Sequence, residues 1–228
     1  VARMYGYENI PSKELSGDMP EKIDQSLFDL IYNTKKALAA AGLTEVQTYS
    51  FYSSVVLNHL KYDKSELVKI ANPISSETEY MRNHLWPNLV ETVVKNVKQG
   101  YNDIAIFEIG KVYIPRENDL PRESYKLAVA LMNGSDNPIQ ERAALAKRLQ
   151  KTVHLGGGPK VEGANLDHLE GVFEIKSLFH PNRFTTVSVG DKPIGVLAEV
   201  HPRFLNKFGI DKRVAILEIA LEPVIQFF

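Results

Sequence analysis

The chain has 228 residues and a formal net charge of −1, with 44% hydrophobic and 24% charged residues. This composition is typical of a globular protein with a sizeable core, and it excludes a disordered chain, a polycationic nucleic-acid coat protein and an acidic tail. The absence of cysteine excludes disulfide scaffolds, thiolate zinc sites and thiol nucleophiles. No apolar run approaches the roughly 20 residues that span a bilayer, so we expect a cytoplasmic protein without a membrane segment.

The first predicted element is a helix from Met19 to Ala41. It follows residues 9–19, whose proline, glycine, serine and charged residues are typical of a linker. The apolar residues that recur at helical spacing are Ile23, Leu27, Ile31, Leu38 and Ala41. Asp18 and Glu21 resemble a capping box at the start of this helix, and Gly42 suits the position just after its end.

Two strands and a proline-containing helix are predicted next. β-Branched and aromatic residues favour strands at Thr44–Tyr52 and Leu67–Ala71. A turn at residues 72–77 leads into a helix of about Glu79–Gln99. Pro87 should kink or split that helix, because proline lacks the amide hydrogen that a helix interior needs.

The rest of the chain predicts strands and one further helix. Ile104–Ile114 is apolar on both faces, as expected of a central buried strand, and Leu127–Met132 predicts another. A helix is predicted at Pro138–Leu155. The later predicted strands are Gly171–Ile175, Phe184–Val189, Pro193–Val200 and Val214–Leu221. Strands that follow one another without helices between them indicate an α+β fold, with a mostly antiparallel sheet flanked by helices.

Short motifs offer little catalytic chemistry. Gly156–Lys160 lacks the spacing of a phosphate-binding loop, which favours a flexible loop instead. None of the six histidines has metal-ligand spacing. His180 and His201 each precede a proline. We favour rings that bond a neighbouring backbone group, and a ligand-facing loop is the alternative.

The segment from Asn72 to Arg82 is predicted to be structural. Ser75, Ser76 and Glu77 could supply a nucleophile and a base, but no nucleophile elbow surrounds them. We therefore expect a serine hydroxyl to cap the following helix. The residues expected to be buried after it are Met81, Leu85 and Trp86. Arg82 could clamp a phosphate, although a surface carboxylate is the commoner partner for such an arginine.

Five separated stretches of the chain resemble, in the expected order, the phenylalanyl-tRNA synthetase beta subunit. They are Arg3–Pro11 (RMYGYENIP), Ala41–Phe51 (AGLTEVQTYSF), Asn72–Glu77 (NPISSE) with Met81–Arg82, Phe107–Tyr113 (FEIGKVY), and His180–Arg183 (HPNR) with Ile194–Pro202 (IGVLAEVHP). Residues 138–169 follow the family pattern poorly. The resemblance implies a class II aminoacyl-tRNA synthetase catalytic-like fold that lacks catalytic activity.

The resemblance also implies how the chain is organised. The chain starts at Val1 without an initiator methionine, so we expect it to be part of a longer protein. Residues 1–15 would be the tail of a preceding helical domain plus a linker, and residues 16–228 the catalytic-like module. The family's magnesium-coordinating acidic residues would precede this chain. The holoenzyme would use ATP and magnesium to attach phenylalanine to its tRNA, as a heterotetramer of alpha and beta subunits.

Two segments support the expectation of no catalytic, cofactor-binding or metal-binding residue in this chain. In a class II site, a motif 2 arginine and a glycine-rich motif 3 hold the ATP phosphates, where fixed positive charge is needed. Here the motif 2-like segment Gly110–Arg116 leads into a charged loop through a proline. The motif 3-like segment Lys212–Ala220 has no glycine to let the backbone approach a nucleotide.

A candidate contact surface lies on the first predicted helix. This helix and the strand after it resemble class II motif 1, which forms the subunit interface in that class. Phe28, Tyr32 and Lys35 lie on a flank of the apolar stripe, and aromatic residues are enriched at interfaces. We predict that these three residues contact the alpha subunit. The alternative is that the helix has one broad buried face.

Two other functions remain open on the sequence alone. The chain could be an autonomous class II-like enzyme domain that binds ATP or an amino acid. It could also contact tRNA directly, and the surface lysines considered for this are Lys95, Lys98, Lys147, Lys151 and Lys160. A net charge of −1 argues against strong independent tRNA binding, because that affinity comes from phosphate neutralisation.

Overall fold

The computed structural model describes residues 1–14, 16–18, 23–60, 63–132, 160–162, 178–189 and 192–225. The predicted Pro138–Leu155 helix, the predicted Gly171–Ile175 strand and the glycine run at residues 156–158 lie outside these ranges. The described helices are α1 (Ala2–Tyr5), α2 (Ser26–Ala40), α3 (Ser54–Leu60), α4 (Trp86–Lys98), α5 (Pro202–Lys207) and α6 (Glu222–Ile225). Short 3₁₀ helices lie at Tyr7–Asn9, Lys64–Glu66 and Ser76–Thr78.

The described strands form one large sheet and one small one. The strands are β1 (Thr44–Glu45), β2 (Phe51–Tyr52), β3 (Tyr80–Met81), β4 (Ile104–Arg116), β5 (Asp119–Met132), β6 (Lys160–Glu162), β7 (Phe179–Val189), β8 (Lys192–Val200) and β9 (Val214–Ala220). The seven-stranded sheet has the order β1-β4-β5-β9-β8-β7-β6, and β2 pairs with β3. Only β1 and β4 are parallel among these pairs. The predicted α+β fold with a mostly antiparallel sheet is confirmed.

Both faces of the large sheet are buried, which explains why the central strands are mostly apolar on both faces. On one face, Ala128 and Ala130 of β5 belong to a hydrophobic cluster that includes Leu89 and Val93 of α4. On the other face, Leu127 and Val129 lie in a second cluster with residues of α2 and α6. Since successive strand residues point to opposite faces, a strand between two helical layers needs apolar residues at every position.

Helix α2 is shorter at its start than predicted, and its end is confirmed. It begins at Ser26, whose N–H donates to Asp24 Oδ1 over 2.9 Å, so the capping box predicted at Asp18 is wrong. Ile23 was predicted to belong to the apolar stripe of this helix. It is 72% exposed, so it does not contribute to the buried side. At the other end Gly42 has φ +88°, and its N–H donates to the Ala39 carbonyl over 2.9 Å. This is the glycine-terminated helix end that was predicted.

Three other predicted elements differ from the structure. The predicted strand at residues 44–52 is two short strands, β1 and β2. Between them the Thr48 N–H and the Tyr49 carbonyl bond to the side chains of Glu108 and Asn88. The predicted strand at Leu67–Ala71 is a single bridge between Lys69 and Tyr80. The helix predicted from Glu79 begins at Trp86, with Pro87 in its first turn, where the missing amide hydrogen costs nothing.

Candidate functional site

Three buried glutamates are the main polar feature of the sheet. Glu108 in β4, Glu199 in β8 and Glu218 in β9 are at most 4% exposed, and each is bonded to basic side chains. A buried carboxylate is tolerated only when it is paired and hydrogen-bonded. Among the described residues, these three clusters hold the buried carboxylates and their basic partners.

The Glu218 carboxylate joins β9 to the start of α4. Its Oε2 accepts the backbone N–H groups of Leu85 over 2.8 Å and Trp86 over 3.0 Å. Its Oε1 lies 3.0 Å from Lys126 Nζ and 2.5 Å from His84 Nδ1. Burial opposes ionisation of Glu218, but Lys126 and His84 outweigh it and hold the pKa of this carboxyl far below its usual range. Glu218 therefore caps α4, a helix whose own N-cap residue is an apolar leucine.

The second cluster fixes the chain between β1 and β2. Arg82 is 3% exposed, and its Nη1 lies 2.7 Å from Glu108 Oε1. Arg82 Nε donates to the Lys111 carbonyl over 3.0 Å, and Thr48 Oγ1 donates to Glu108 Oε2 over 2.7 Å. A Cβ at Gly110 would lie 2.5 Å from Arg82 Nη2, so this position leaves room for the guanidinium. Arg82 is therefore a buried structural residue, and neither the phosphate clamp nor the surface ion pair considered from the sequence is correct.

The third cluster joins β7, β8 and Arg213, the residue just before β9. Glu199 Oε1 accepts from Arg183 Nη1 over 2.9 Å, and Glu199 Oε2 lies 2.6 Å from Arg213 Nη2. Burial raises the pKa of Glu199, and the hydrogen bonds from Arg213 and Arg183 lower it by more, so the net direction is down. The carboxylate is ionised and its charge is compensated within the chain.

The segments that resemble motif 2 and motif 3 both line a small cavity beside Glu218. The cavity beside Glu218, lined by His84, Lys126 and Gly195 among others, has a volume of about 140 Å³, below the roughly 300 Å³ of small-molecule sites. A Cβ at Gly195 would lie 2.0 Å from the Glu218 carbonyl oxygen, so this glycine serves strand packing. Arg116 lies 3.4 Å from Asp119 across the exposed β4–β5 turn. In the described part of the chain, no cluster of three or more acidic or histidine side chains could hold a metal ion.

The two His-Pro histidines bond to neighbouring backbone groups, as favoured from the sequence. His180 Nδ1 accepts from the Asn182 N–H over 3.2 Å. His201 Nδ1 accepts from the Arg203 N–H over 3.1 Å and thereby caps α5. Their rings stack with centroids 6.4 Å apart. Both rings therefore form hydrogen bonds with neighbouring backbone groups.

Ser75 is a cap, as predicted, but of a shorter element than expected. Its side chain accepts from the Glu77 N–H over 3.3 Å and so caps the 3₁₀ helix at Ser76–Thr78. The Glu77 carboxylate bonds to the Ser54 backbone and hydroxyl. The predicted burial that follows is confirmed for Leu85 and Trp86, both 0% exposed, whereas Met81 is half-buried.

Phe28 and Tyr32 lie on the outer side of α2. They are 78% and 60% exposed, while Leu30 and Leu38 of the same helix are buried against the sheet. Lys35 Nζ lies 2.5 Å from Glu45 Oε1 in β1. The alternative of one broad buried face is therefore wrong for this chain. We call Phe28, Tyr32 and Lys35 the α2 surface; its contact with a partner stays a prediction.

The fold matches solved aminoacyl-tRNA synthetases. Two structures of a pyrrolysyl-tRNA synthetase from Desulfitobacterium hafniense match with TM-scores of 0.67 and 0.68, at 18% and 17% identity. Each match covers 88% of this chain and 68% of the other. The chain thus has the class II aminoacyl-tRNA synthetase catalytic-like fold. None of its described helices has the length and apolar character needed to cross a membrane.

The particular family follows from the sequence comparisons. Residues 10–221 match the family model described as phenylalanyl tRNA synthetase beta chain CLM domain, so the chain belongs to that family. Relatives include the phenylalanine–tRNA ligase beta subunits of Syntrophus aciditrophicus, 29% identical over 100% of this chain, and of Symbiobacterium thermophilum, 32% identical over 99%. The chain spans 29% and 26% of the lengths of these two relatives.

Proposed function

We propose that this chain is a non-catalytic structural module of a phenylalanine–tRNA ligase beta subunit, whose role is to dock the catalytic alpha subunit. The holoenzyme would attach phenylalanine to its tRNA at the expense of ATP with magnesium, as a cytoplasmic heterotetramer. Residues 16–228 would form the module, and residues 1–15 the tail of a preceding domain with its linker.

The observation that carries this proposal is the two-sided character of α2. One side of this helix already packs on the sheet through Leu30 and Leu38, yet Phe28 and Tyr32 remain mostly exposed on the other side. Exposed aromatic residues on a helix that has already supplied its core face are suited to an interface, where aromatic residues are enriched. The basic side chains of the three glutamate clusters support the non-catalytic part, because Arg82, Lys126 and Arg213 are bonded to carboxylates of the chain itself.

Charge substitutions on the α2 surface should weaken binding of the alpha subunit. Phe28→Glu and Tyr32→Glu would place a carboxylate in a desolvated contact, and we expect each to raise the dissociation constant by about tenfold or more. The measurement is the affinity of full-length beta subunit for alpha subunit, together with the size of the co-expressed complex. Leu120→Glu, at an 80% exposed position in the β4–β5 hairpin, is the matched control and should bind normally.

The outcome of these variants separates an interface from a core. If Phe28→Glu and Tyr32→Glu both unfold the protein, the two residues belong to a core, and the docking assignment is wrong. The assignment is equally wrong if both variants fold and bind as the Leu120 control does. Circular dichroism of each variant distinguishes these two failures.

The chain on its own should not activate phenylalanine. The reason is that the basic side chains of the three glutamate clusters are already paired with carboxylates, and the cavity beside Glu218 is too small for a nucleotide. Pyrophosphate exchange with ATP, magnesium and phenylalanine should stay at background for this chain, while the complete two-subunit enzyme serves as the positive control. Exchange by the chain alone that disappears in Arg116→Ala would instead support an autonomous class II-like enzyme.

A further inference from the structure

A groove of about 800 Å³ lies on the outside of the Arg82–Glu108 cluster. Its walls are the segment from Gln47 to Ser53, the 3₁₀ helix at Ser76–Thr78 and the outer side of α4. We call it the Tyr49 groove, after the aromatic residue at its rim. Its volume lies within the range of ligand pockets, and none of its lining residues belongs to the α2 surface.

Tyr49 combines an exposed ring with a rigid backbone. The side chain is 84% exposed, but the Tyr49 carbonyl accepts from Asn88 Nδ2 over 2.9 Å. The same Asn88 Nδ2 donates to the Phe51 carbonyl over 3.1 Å, and the Arg82 N–H donates to the Ser50 carbonyl over 3.0 Å. Buried side chains therefore hold an irregular segment in one conformation. An aromatic side chain presented in this way loses little entropy on binding, which is the property of an interface anchor.

The charge of the groove indicates what it binds. Glu77 and Glu91 line it, against one cation among the described lining residues, Lys95. Glu91 Oε1 accepts from Ser53 Oγ over 3.3 Å and lies 3.4 Å from Lys95 Nζ. Glu91 Oε2 receives no hydrogen bond from the described residues. A half-buried carboxylate oxygen with open coordination favours an arginine or lysine as its partner.

We propose that the Tyr49 groove is a second docking site for the alpha subunit, and that it binds an extended segment carrying a basic side chain. The basic group would pair with Glu91, and an apolar neighbour would pack on the Tyr49 ring. This inference rests on the proposed function, since it takes the same partner. It identifies a second contact surface, formed by residues other than those of the α2 surface. It also specifies that the bound segment of the alpha subunit carries a basic side chain.

The test uses full-length beta subunit and its alpha subunit, with matched substitutions. Tyr49→Ser should raise the dissociation constant by about tenfold, whereas Tyr101→Ser, at a 60% exposed tyrosine after α4, should not change it. Glu91→Gln should weaken binding by about fivefold at low salt and by less at high salt. Glu66→Gln, at an exposed carboxylate, is its control. A photo-cross-linking amino acid at position 49 should give a cross-linked peptide from the alpha subunit.

Several outcomes would overturn this inference. One is that Tyr49→Ser and Glu91→Gln bind the alpha subunit as tightly as their controls do. If the Phe28 and Tyr32 variants still weaken the complex in that case, the Tyr49 groove is not a docking site, but the proposed docking function stands. A loss confined to Tyr49→Ser would refute the basic segment as occupant. A cross-link from position 49 to tRNA alone would show that the groove serves a nucleic acid.

Discussion

Replacing Glu218 with alanine should lower the free energy of unfolding by about 3–5 kcal/mol. The substitution leaves the largely buried charge of Lys126 without its carboxylate and removes one hydrogen-bond partner of His84. It also leaves the N–H groups of Leu85, the N-cap of α4, and of Trp86, its first residue, without an acceptor in an apolar setting. Four interactions are lost at one position, which is why this change should be among the most damaging in the chain.

Urea denaturation followed by tryptophan fluorescence measures this loss directly. Trp86 is the one tryptophan of the chain, and it lies in the first turn of the helix that Glu218 caps. Glu66→Ala is the control, since an exposed carboxylate away from such features should change stability by about 0.5 kcal/mol or less. A Glu218→Ala protein within about 1 kcal/mol of the parent would show that water replaces the carboxylate and that the cluster is not truly buried.

The same carboxylate should make stability depend on pH in the acid range. The pKa of Glu218 lies below its ordinary value of 4.5 in the folded chain, because Lys126 and His84 outweigh the opposing effect of burial. The contribution of Glu218 is therefore complete above the unfolded pKa and is lost as the pH falls through the folded pKa. The difference in unfolding free energy between the parent and Glu218→Gln should shrink as the pH is lowered from about 6 to about 3. Glu199 titrates in both proteins and cancels from the difference.

The buried clusters had a signal in the sequence that could have found them. Glu108, Glu199 and Glu218 are each the single acidic residue in an apolar strand segment, IAIFEIG, IGVLAEV and VAILEIA. A charge in a strand that is apolar on both faces must be buried, and a buried glutamate requires a basic partner. This rule predicts that basic partners exist but not which residues they are, because Arg82 lies 26 positions from Glu108 and His84 lies 134 positions from Glu218.

The start of α4 shows why local patterns could not supply the cap. The sequence predicted that Pro87 would kink or split a helix of Glu79–Gln99, but the helix begins at Trp86, because proline suits the first turn of a helix and not its interior. The residue before that turn, Leu85, has no side chain that could accept the orphan N–H groups. The acceptor comes from β9, more than 130 residues later. When the free N–H groups at the start of a helix are bonded by a residue of a distant strand, the sequence around the helix start carries no capping signal.

The start of α2 was predicted wrongly for a different reason. Ile23 continues the helical spacing of Leu27 and Ile31, so periodicity extends the helix to the predicted start. In the structure Ile23 is 72% exposed and lies before the helix. The spacing of apolar residues shows which of them could lie on one side of a helix. Whether that side packs against another part of the protein depends on the tertiary structure. The exposure of Phe28 and Tyr32 likewise became clear only once the sheet was placed.

Replacing Trp86 with alanine should cost about 3–5 kcal/mol of unfolding free energy. The indole ring is 0% exposed and packs on Phe179, with ring centroids 5.1 Å apart, so alanine would leave a large cavity between α4 and the sheet. The indole N–H is buried and has no hydrogen-bond partner among the described residues. Trp86→Phe keeps the aromatic contact and removes this unpaired donor, and it should therefore cost only about 1 kcal/mol.

The comparison between the two Trp86 variants separates packing from every other role of the residue. Circular dichroism follows urea unfolding in both, since neither retains tryptophan fluorescence. If packing dominates, the alanine variant should be the less stable of the two by about 2 kcal/mol or more. Equal stabilities, both close to that of the parent, would mean that the ring is not part of the core. The Trp86 side chain at the start of α4 would then contact the partner subunit.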